Sequence, residues 1–388
     1  MITEFRFTFL ILLLITGSLN LSGQVKVRLY AGEKVDGAVI RVASGSYELV
    51  AGGKTLKRLN PGDYIFVSRE SEGIAVSSPG APGFITVRAI LSPQDENSMF
   101  DIRVADSGST YSVFNGTLHL AHDLGTLMVI NETGLESYVA AVVEAEGGYN
   151  SHPQYYMAQA ILVRTFAVIN MERHADEGYD MCDDVHCQVF HGICSDPLIQ
   201  ESVAATAGLV VTGPDSTLLF APFHSNCGGL TAPSDHSWLK SENHLQSVVD
   251  PYCSFSRNAT WTKTVSVDDW IEALRANGFT GADTSVMLTL NFLSRIRTLN
   301  IGGDEIMLSG VRNFLGLRSS FFSTVRDGNN LIIRGRGYGH GVGLCQEGAM
   351  VMAERGFSFN DIITFYFRDV LITGMENARR PVGINGLF

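Results

Sequence analysis

LGTLMVINETGLESYVAAVVEAE, residues 124–146, changes its period part-way along. LGTLMVIN reads as a β-strand of apolar and β-branched residues. LESYVAAVVEAE reads as a helix, with Leu135, Val139, Val142 and Val143 on one stripe. Gly147-Gly148 ends it. Strand patterns fill the chain before this point, and helices, strands and loops mix after it. The expectation is an α+β fold: a mixed, β-rich core with a few buried helices, preceded by a small N-terminal β region.

Upstream, residues 24–108 carry VKVRLYAG, GAVIRVAS, YELVAGG, YIFVSRE and FITVRAI. These short runs are separated by Gly, Asp, Asn and Ser, with hairpin spacing. STYSVFNGTLHLAH continues as strands, and Asn115-Gly116 signals a hairpin. The first 23 residues read as a secretory signal peptide. Arg6 supplies the positive end, Phe7 to Ile15 the apolar run, and small residues lead to cleavage near Gly23. The competing reading is a retained anchor, but the run falls short of the ~20 residues that span a bilayer. The expected location is therefore outside the cytoplasm, periplasmic or extracellular, with no transmembrane span in the mature chain.

Downstream, a second helix starts near Ser151, a capping residue, with Pro153 in its first turn. Ala158, Ile161, Leu162, Thr165, Phe166 and Ile169 form one face. Met157, Ala160, Arg164 and Val168 form the other, so the helix should be buried nearly all round. Arg164 then needs a carboxylate or several carbonyls as partners. Residues 174–260 read as loops and short strands rich in Cys, His and Gly. Residues 261–335 alternate helix (VDDWIEALRANG) with strand (SRIRTLNIG, NLIIRGR). GRGYGHGVG, the helix CQEGAMVMAERG and a capped helix SFNDIITFYFRD follow, and residues 376–388 form a tail.

The composition supports a packed protein. Of 388 residues, 45% are hydrophobic and 18% charged, too few charges for a disordered chain. Lys+Arg total 28 against 40 Asp+Glu, a net charge of −12. A basic nucleic-acid footprint is thereby excluded as the leading reading.

Three clusters could carry chemistry. Glu144 and Glu146 lie two apart, roughly 200° around a regular helix, so they cannot share one site. One could face a cleft and the other water, or both could be solvated surface residues. The second cluster is CDDVHC, with His174 before it and His191 after it. From spacing alone, a tetrahedral zinc site and a short-loop disulfide at Cys182 and Cys187 stay equally open. The third is GRGYGHGVG, residues 335–343. It lacks the Lys-Ser/Thr ending of a Walker loop and the βαβ setting of a dinucleotide site. It suits close approach of backbone to an extended ligand, with Tyr338 and His340 projecting, or a tight corner without a ligand. No G-x-S-x-G elbow occurs. His224-Ser225 before Cys227 could imitate a thiol nucleophile, but Cys227 and Cys253 more simply pair as a disulfide.

Taken together, five ordered motifs give the chain a resemblance. INETGLESYVAAVVEAE, MAQAILVRTFA, CDDVHCQVFHG, HSNCGGLT with DPYC, and GRGYGHGVGLCQEGAMVMAERG resemble the stage II sporulation protein D / LytB family of bacterial peptidoglycan-acting proteins. The match runs over residues 109–375. Two positions depart from it: Gly-Gly follows Glu146 in place of Met-Pro, and Cys345 stands where Ser is usual.

The resemblance implies a lytic transglycosylase that cuts peptide-stripped glycan strands, with Glu146 as its catalytic general acid and base. It implies Arg164, Gln159, Ser225, Tyr338, His340 and Gln346 as substrate-binding residues, Arg164 binding substrate or standing behind Glu146. It implies zinc on His174, Cys182, His186 and Cys187, and a closed four-ligand set would be structural. A rival within the same resemblance is a wall-binding modifier of a cell-wall amidase.

Overall fold

The computed structural model describes residues 23–104, 112–123, 125–237, 241–282 and 288–381. The segment read as a signal peptide and the last residues of the tail fall outside them. The fold is α+β and strand-rich, with 8 helices and 22 strands among the described residues. No helix there is long and apolar enough to cross a membrane.

Two sheets carry the first third of the chain. A seven-stranded sheet runs in the order Met181–Cys182, Gln24–Leu29, Thr126–Gly134, Thr117–Asp123, Arg88–Pro93, Tyr47–Ala51, Lys54–Leu59. A six-stranded sheet runs Ser112–Asn115, Met99–Val104, Gly37–Ser44, Tyr64–Glu70, Gly73–Ser78, Ala81–Thr86. Their inward alternating residues, such as Val25, Val27, Ile40, Leu91 and Phe100, join one core with the helices that follow. Gln24–Leu29 pairs antiparallel with Thr126–Gly134 and parallel with Met181–Cys182. The boundary expected at residue 108 is therefore no break between packing units.

Asn115-Gly116 does not make the expected hairpin. Ser112–Asn115 pairs in the six-stranded sheet and Thr117–Asp123 in the seven-stranded one, so the chain crosses between sheets here. The hydrophobic faces on either side outvote a local turn signal.

The helices are α1 (Leu135–Gly147), α2 (Pro153–Asn170), α3 (Pro197–Ala205), α4 (Ser234–Ser237), α5 (Val267–Ala276), α6 (Leu308–Phe314), α7 (Gln346–Glu354) and α8 (Phe359–Tyr366). In α1, Tyr138, Val139, Val142 and Val143 have no exposed surface. Full burial contributes about 1.5–3 kcal/mol for each such side chain. That outweighs the side-chain cap α1 lacks at Gly134, which is typically worth ~1 kcal/mol. α2 is buried on both faces, as its sequence predicts. Its cap is His152 rather than Ser151: the His152 ring accepts the Gln154 N–H. α3 lies inside the stretch read as loops and strands, capped by Asp196 with Pro197 behind it. A smaller core around Trp270, Phe322 and Ile333 holds α5 and α6 against a three-stranded sheet.

Arg164 has the partners its position demands. It has no exposed surface. Its Nε and Nη2 donate to the two carboxylate oxygens of Glu136, and its Nη1 donates to the Leu209 carbonyl at 3.0 Å. Removing one partner of a buried pair strands the other charge, at about 3–5 kcal/mol. The Glu136 side chain is 40% exposed, so water can partly replace it. Glu136→Ala is expected to lower stability by about 2–3 kcal/mol in urea unfolding. A loss below ~0.5 kcal/mol would mean the carbonyls alone satisfy Arg164.

Candidate functional site

Glu146 sits in the last turn of α1, where helix carbonyls run out of intrahelical donors. Gly148, at φ 72°, turns the chain away. Three side chains then supply the missing donors. Gln346, the first residue of α7, donates its amide to the Glu146 carbonyl at 3.0 Å. The Tyr155 and Tyr156 hydroxyls of α2 donate to the carbonyls of Gly147 and Gly148 at 3.3 and 3.0 Å. The backbone that presents Glu146 is thus fixed from two other helices.

The Glu146 side chain is only partly buried, and its Oε1 accepts the Val189 N–H at 3.1 Å. Burial pushes its carboxyl above the usual range, while the Val189 N–H and the positive field of His191 pull the other way. Glu144 is engaged elsewhere. Its Oε1 accepts the Ser195 and Asp196 N–H groups and the Ser195 hydroxyl, all within 3.0 Å. It is partly exposed, with this one oxygen taken up by the three donors. It ties α1 to the start of α3.

Val189 is delivered by the loop that carries the second cluster. Met181–Cys182 is an edge strand on Gln24–Leu29. The Asp183 carboxylate clamps the turn after that first strand by accepting the Tyr30 and Ala31 N–H groups. His174, Cys182, His186 and Cys187 then converge, with their donor atoms all within 4.8 Å of one another. His186 Nδ1 is 3.6 Å from both sulfurs, and His174 Nε2 is 3.5 Å from Cys187 Sγ. Tetrahedral zinc with ordinary Zn–S and Zn–N bonds places neighbouring N and S ligands about 3.5–3.6 Å apart. His174 Nδ1 lies 2.7 Å from Glu177 Oε1, which fixes the ring with Nε2 inward, the orientation a metal ligand needs. The donor set fits a tetrahedral divalent metal. His191 stands outside it, close to Glu146.

Gln159 and Gln346 pack beside Glu146. Gln159 has no exposed surface, and both ends of its amide lack a hydrogen-bond partner. Its Cγ lies 3.8 Å from the space beside Gly147. Gln346 is 7% exposed, with an amide hydrogen committed to the Glu146 backbone. Ser225 adjoins the start of α7: its carbonyl accepts the Glu347 N–H at 3.1 Å.

The other expected substrate residues are placed differently. Arg164 is corrected from a substrate contact to a buried structural group, because Glu136 and Leu209 hold it out of reach. Much of the Gly-rich run packs against its own chain, while Gly339 and His340 line a pocket of about 290 Å³ together with His236, Arg297 and Arg312. A side chain at Gly337 (φ 70°) would collide with the Asn226 carbonyl. His340 lines that pocket with both ring nitrogens committed to the chain. Its Nε2–H donates to the Phe223 carbonyl at 2.9 Å and its Nδ1 accepts the Val342 N–H at 3.1 Å, so it braces the corner. Burial holds it neutral, down to about 4. Tyr338 does project. It is 43% exposed, with the Arg318 guanidinium 5.7 Å from its ring centre.

Tyr155 and Val189 carry parts of the site that the sequence reading missed. Tyr155 looks like one more apolar residue of a buried helix, and Val189 contributes only its backbone.

Residues 123–212, which hold Glu146 and the four convergent His and Cys residues, match the family model described as "Stage II sporulation protein". The stage II sporulation protein D of Bacillus amyloliquefaciens is 31% identical over 260 residues, 63% of this chain and 75% of that protein. The chain belongs to the stage II sporulation protein D family. The family's Bacillus subtilis (strain 168) protein of that name is 28% identical over 257 residues, 62% of this chain and 74% of its own length. A protein named "Amidase enhancer", also from Bacillus subtilis, is 24% identical over 56% of this chain and 37% of its own.

Proposed function

We propose that the protein acts on bacterial peptidoglycan as a lytic transglycosylase, with Glu146 as its general acid and base. The observation that carries this reading is the Glu146 carboxyl itself: held at a braced helix end, partly buried, with its pKa raised. A raised pKa keeps the proton that a general acid must give. Protonated Glu146 would give that proton to the glycosidic oxygen as the bond to the muramyl anomeric carbon breaks. The resulting carboxylate would take the proton of the muramyl C6 hydroxyl, whose oxygen closes a 1,6-anhydro ring on that carbon. Glu146 ends protonated, and no water is consumed. Hydrolytic glycosidases usually use two carboxyl groups about 5–9.5 Å apart. Here the nearby Glu144 is spent on the Ser195 and Asp196 N–H groups, which favours a one-carboxyl scheme. Gln159 has no exposed surface, so it stands behind Glu146 and positions it, and the exposed Tyr338 and the partly exposed Ser225 are left to meet the glycan.

In the same reading, His174, Cys182, His186 and Cys187 hold zinc. When bound, it cross-links the loop that gives Val189 to Glu146. With four protein ligands it is structural. The acidic net charge speaks against nucleic acid as a partner, and the N-terminal segment, read as a signal peptide, supports export to the cell envelope.

The test is incubation of the protein with peptide-free glycan strands, followed by mass spectrometry of the products. Anhydro-ended fragments support the assignment. Glycan bound but uncut favours the second reading, a wall-binding modifier of an amidase, which the likeness to an amidase enhancer motivates. Adding a cell-wall amidase and measuring its rate separates the two.

The pH profile has a defined sign. The acid form is needed, so activity should fall as pH rises through the raised Glu146 pKa. His191→Ala removes a positive field that lowers that pKa. The falling limb should then move to higher pH. A limb that stays put or moves down would remove His191 from the electrostatics of the site.

A further inference from the structure

Cys227, Asp250, Cys253 and Cys345 form a second convergent cluster, in the fold's interior. Their donor atoms lie within 4.8 Å of one another. All four residues have no exposed surface. We propose that they bind a second divalent metal of the zinc class, in a site of three thiolates and one carboxylate.

The expected Cys227–Cys253 disulfide is not what the structure holds: all six cysteines are unbridged, and these two sulfurs are 3.3 Å apart. Cys227 Sγ is also 3.3 Å from Asp250 Oδ2. Tetrahedral Zn–S and Zn–O bonds set such edges at about 3.5–3.8 Å. A disulfide would use two of the four groups and strand a buried carboxyl and a third thiol beside it. A metal uses all four.

The surroundings are those of metal ligands. Asp250 is oriented at both oxygens: Oδ1 accepts the Tyr252 N–H at 2.8 Å and Oδ2 accepts the Tyr366 hydroxyl at 3.0 Å. The Cys227 N–H donates to Cys345 Sγ at 3.2 Å, a bond that favours thiolate. Arg295, 5% exposed, stands against the same segment. Its guanidinium donates to the carbonyls of Asn226, Cys227 and Gly339. A buried cation held only by carbonyls implies net negative charge nearby. Three thiolates and a carboxylate around a dication supply that charge. Soft sulfur ligands select zinc over magnesium or calcium.

The site would join three distant segments: the turn after strand Phe223–His224, the loop at 250–253, and strand Leu344–Cys345. Cys345 directly precedes Gln346, so the metal would hold the end of α7 that braces Glu146.

The test is metal stoichiometry by plasma mass spectrometry on the full chain, with peptide mapping of its cysteines. Wild type should carry two zinc ions per chain. Cys182→Ser/Cys187→Ser and Cys227→Ser/Cys345→Ser should each carry one, and mapping should find no Cys227–Cys253 bridge. Wild type suffices if either variant fails to fold. Two ions without a bridge support the site, whereas a Cys227–Cys253 disulfide overturns it. So does a Cys182→Ser/Cys187→Ser protein that folds and binds no zinc.

Discussion

Glu146→Gln should lose about 10²- to 10⁴-fold of glycan-cleaving activity, the usual contribution of a positioned general acid and base. The amide keeps the shape and can still accept the Val189 N–H, but it has no proton to give and cannot take one back. The structure also predicts what the change does to stability. The Glu146 pKa is higher folded than unfolded, so the folded state holds its proton more tightly. Ionisation therefore erodes stability as pH rises through the window between the two values. Gln never ionises, so Glu146→Gln should be at least as stable as wild type at neutral pH. The two should converge in acid, where both side chains are neutral. Mass spectrometry of the products and urea titrations at two pH values check both halves. An active Glu146→Gln protein would end the assignment of Glu146. An inactive but markedly unstable one would make the residue a structural group.

If His174, Cys182, His186 and Cys187 hold the proposed zinc, its loss should be the largest stability effect. Structural zinc binds zinc-finger peptides with apparent free energies of about 10–16 kcal/mol at neutral pH. Only part of that is expected here, because Met181–Cys182 pairs with Gln24–Leu29 and Asp183 clamps the adjoining turn. Cys187→Ser should cost several kcal/mol, a Tm lower by roughly 10 °C. Activity should fall with it, because Val189, two residues on, loses its fixed position against Glu146. Calorimetry with metal analysis checks this. Unchanged Tm and zinc content would remove the metal, and a Cys182–Cys187 bridge would replace it.

Much of this was legible in the sequence, and the failures have physical causes. The helical stripes of α1 and α2 follow the period of a buried helix, so both were readable. Arg164's need of a partner was readable from burial alone. The partner's name was not, because Glu136 lies 28 residues away on another helix. The spacing of CDDVHC narrowed the ligand set to a few nearby residues. Nothing comparable marked Cys345, which meets Cys227 across 118 residues. The Gly-rich run left two readings open in sequence, room for a ligand and a tight corner without one. Its left-handed glycines admit the chain's own carbonyls, and sequence does not say which backbone approaches. Asn115-Gly116 failed because turn chemistry is local while sheet membership is decided by distant strands.

The brace on Glu146 sets an order in time. Gln346 reaches its carbonyl across 200 residues of chain. Contacts of such separation close late in folding, after local helices and neighbouring strands. Glu146 therefore gains its final setting only when the chain's last quarter has arrived and α7 has docked. If Glu146 is the acid and base proposed above, the site stays blunt until the far end of the chain has folded onto it.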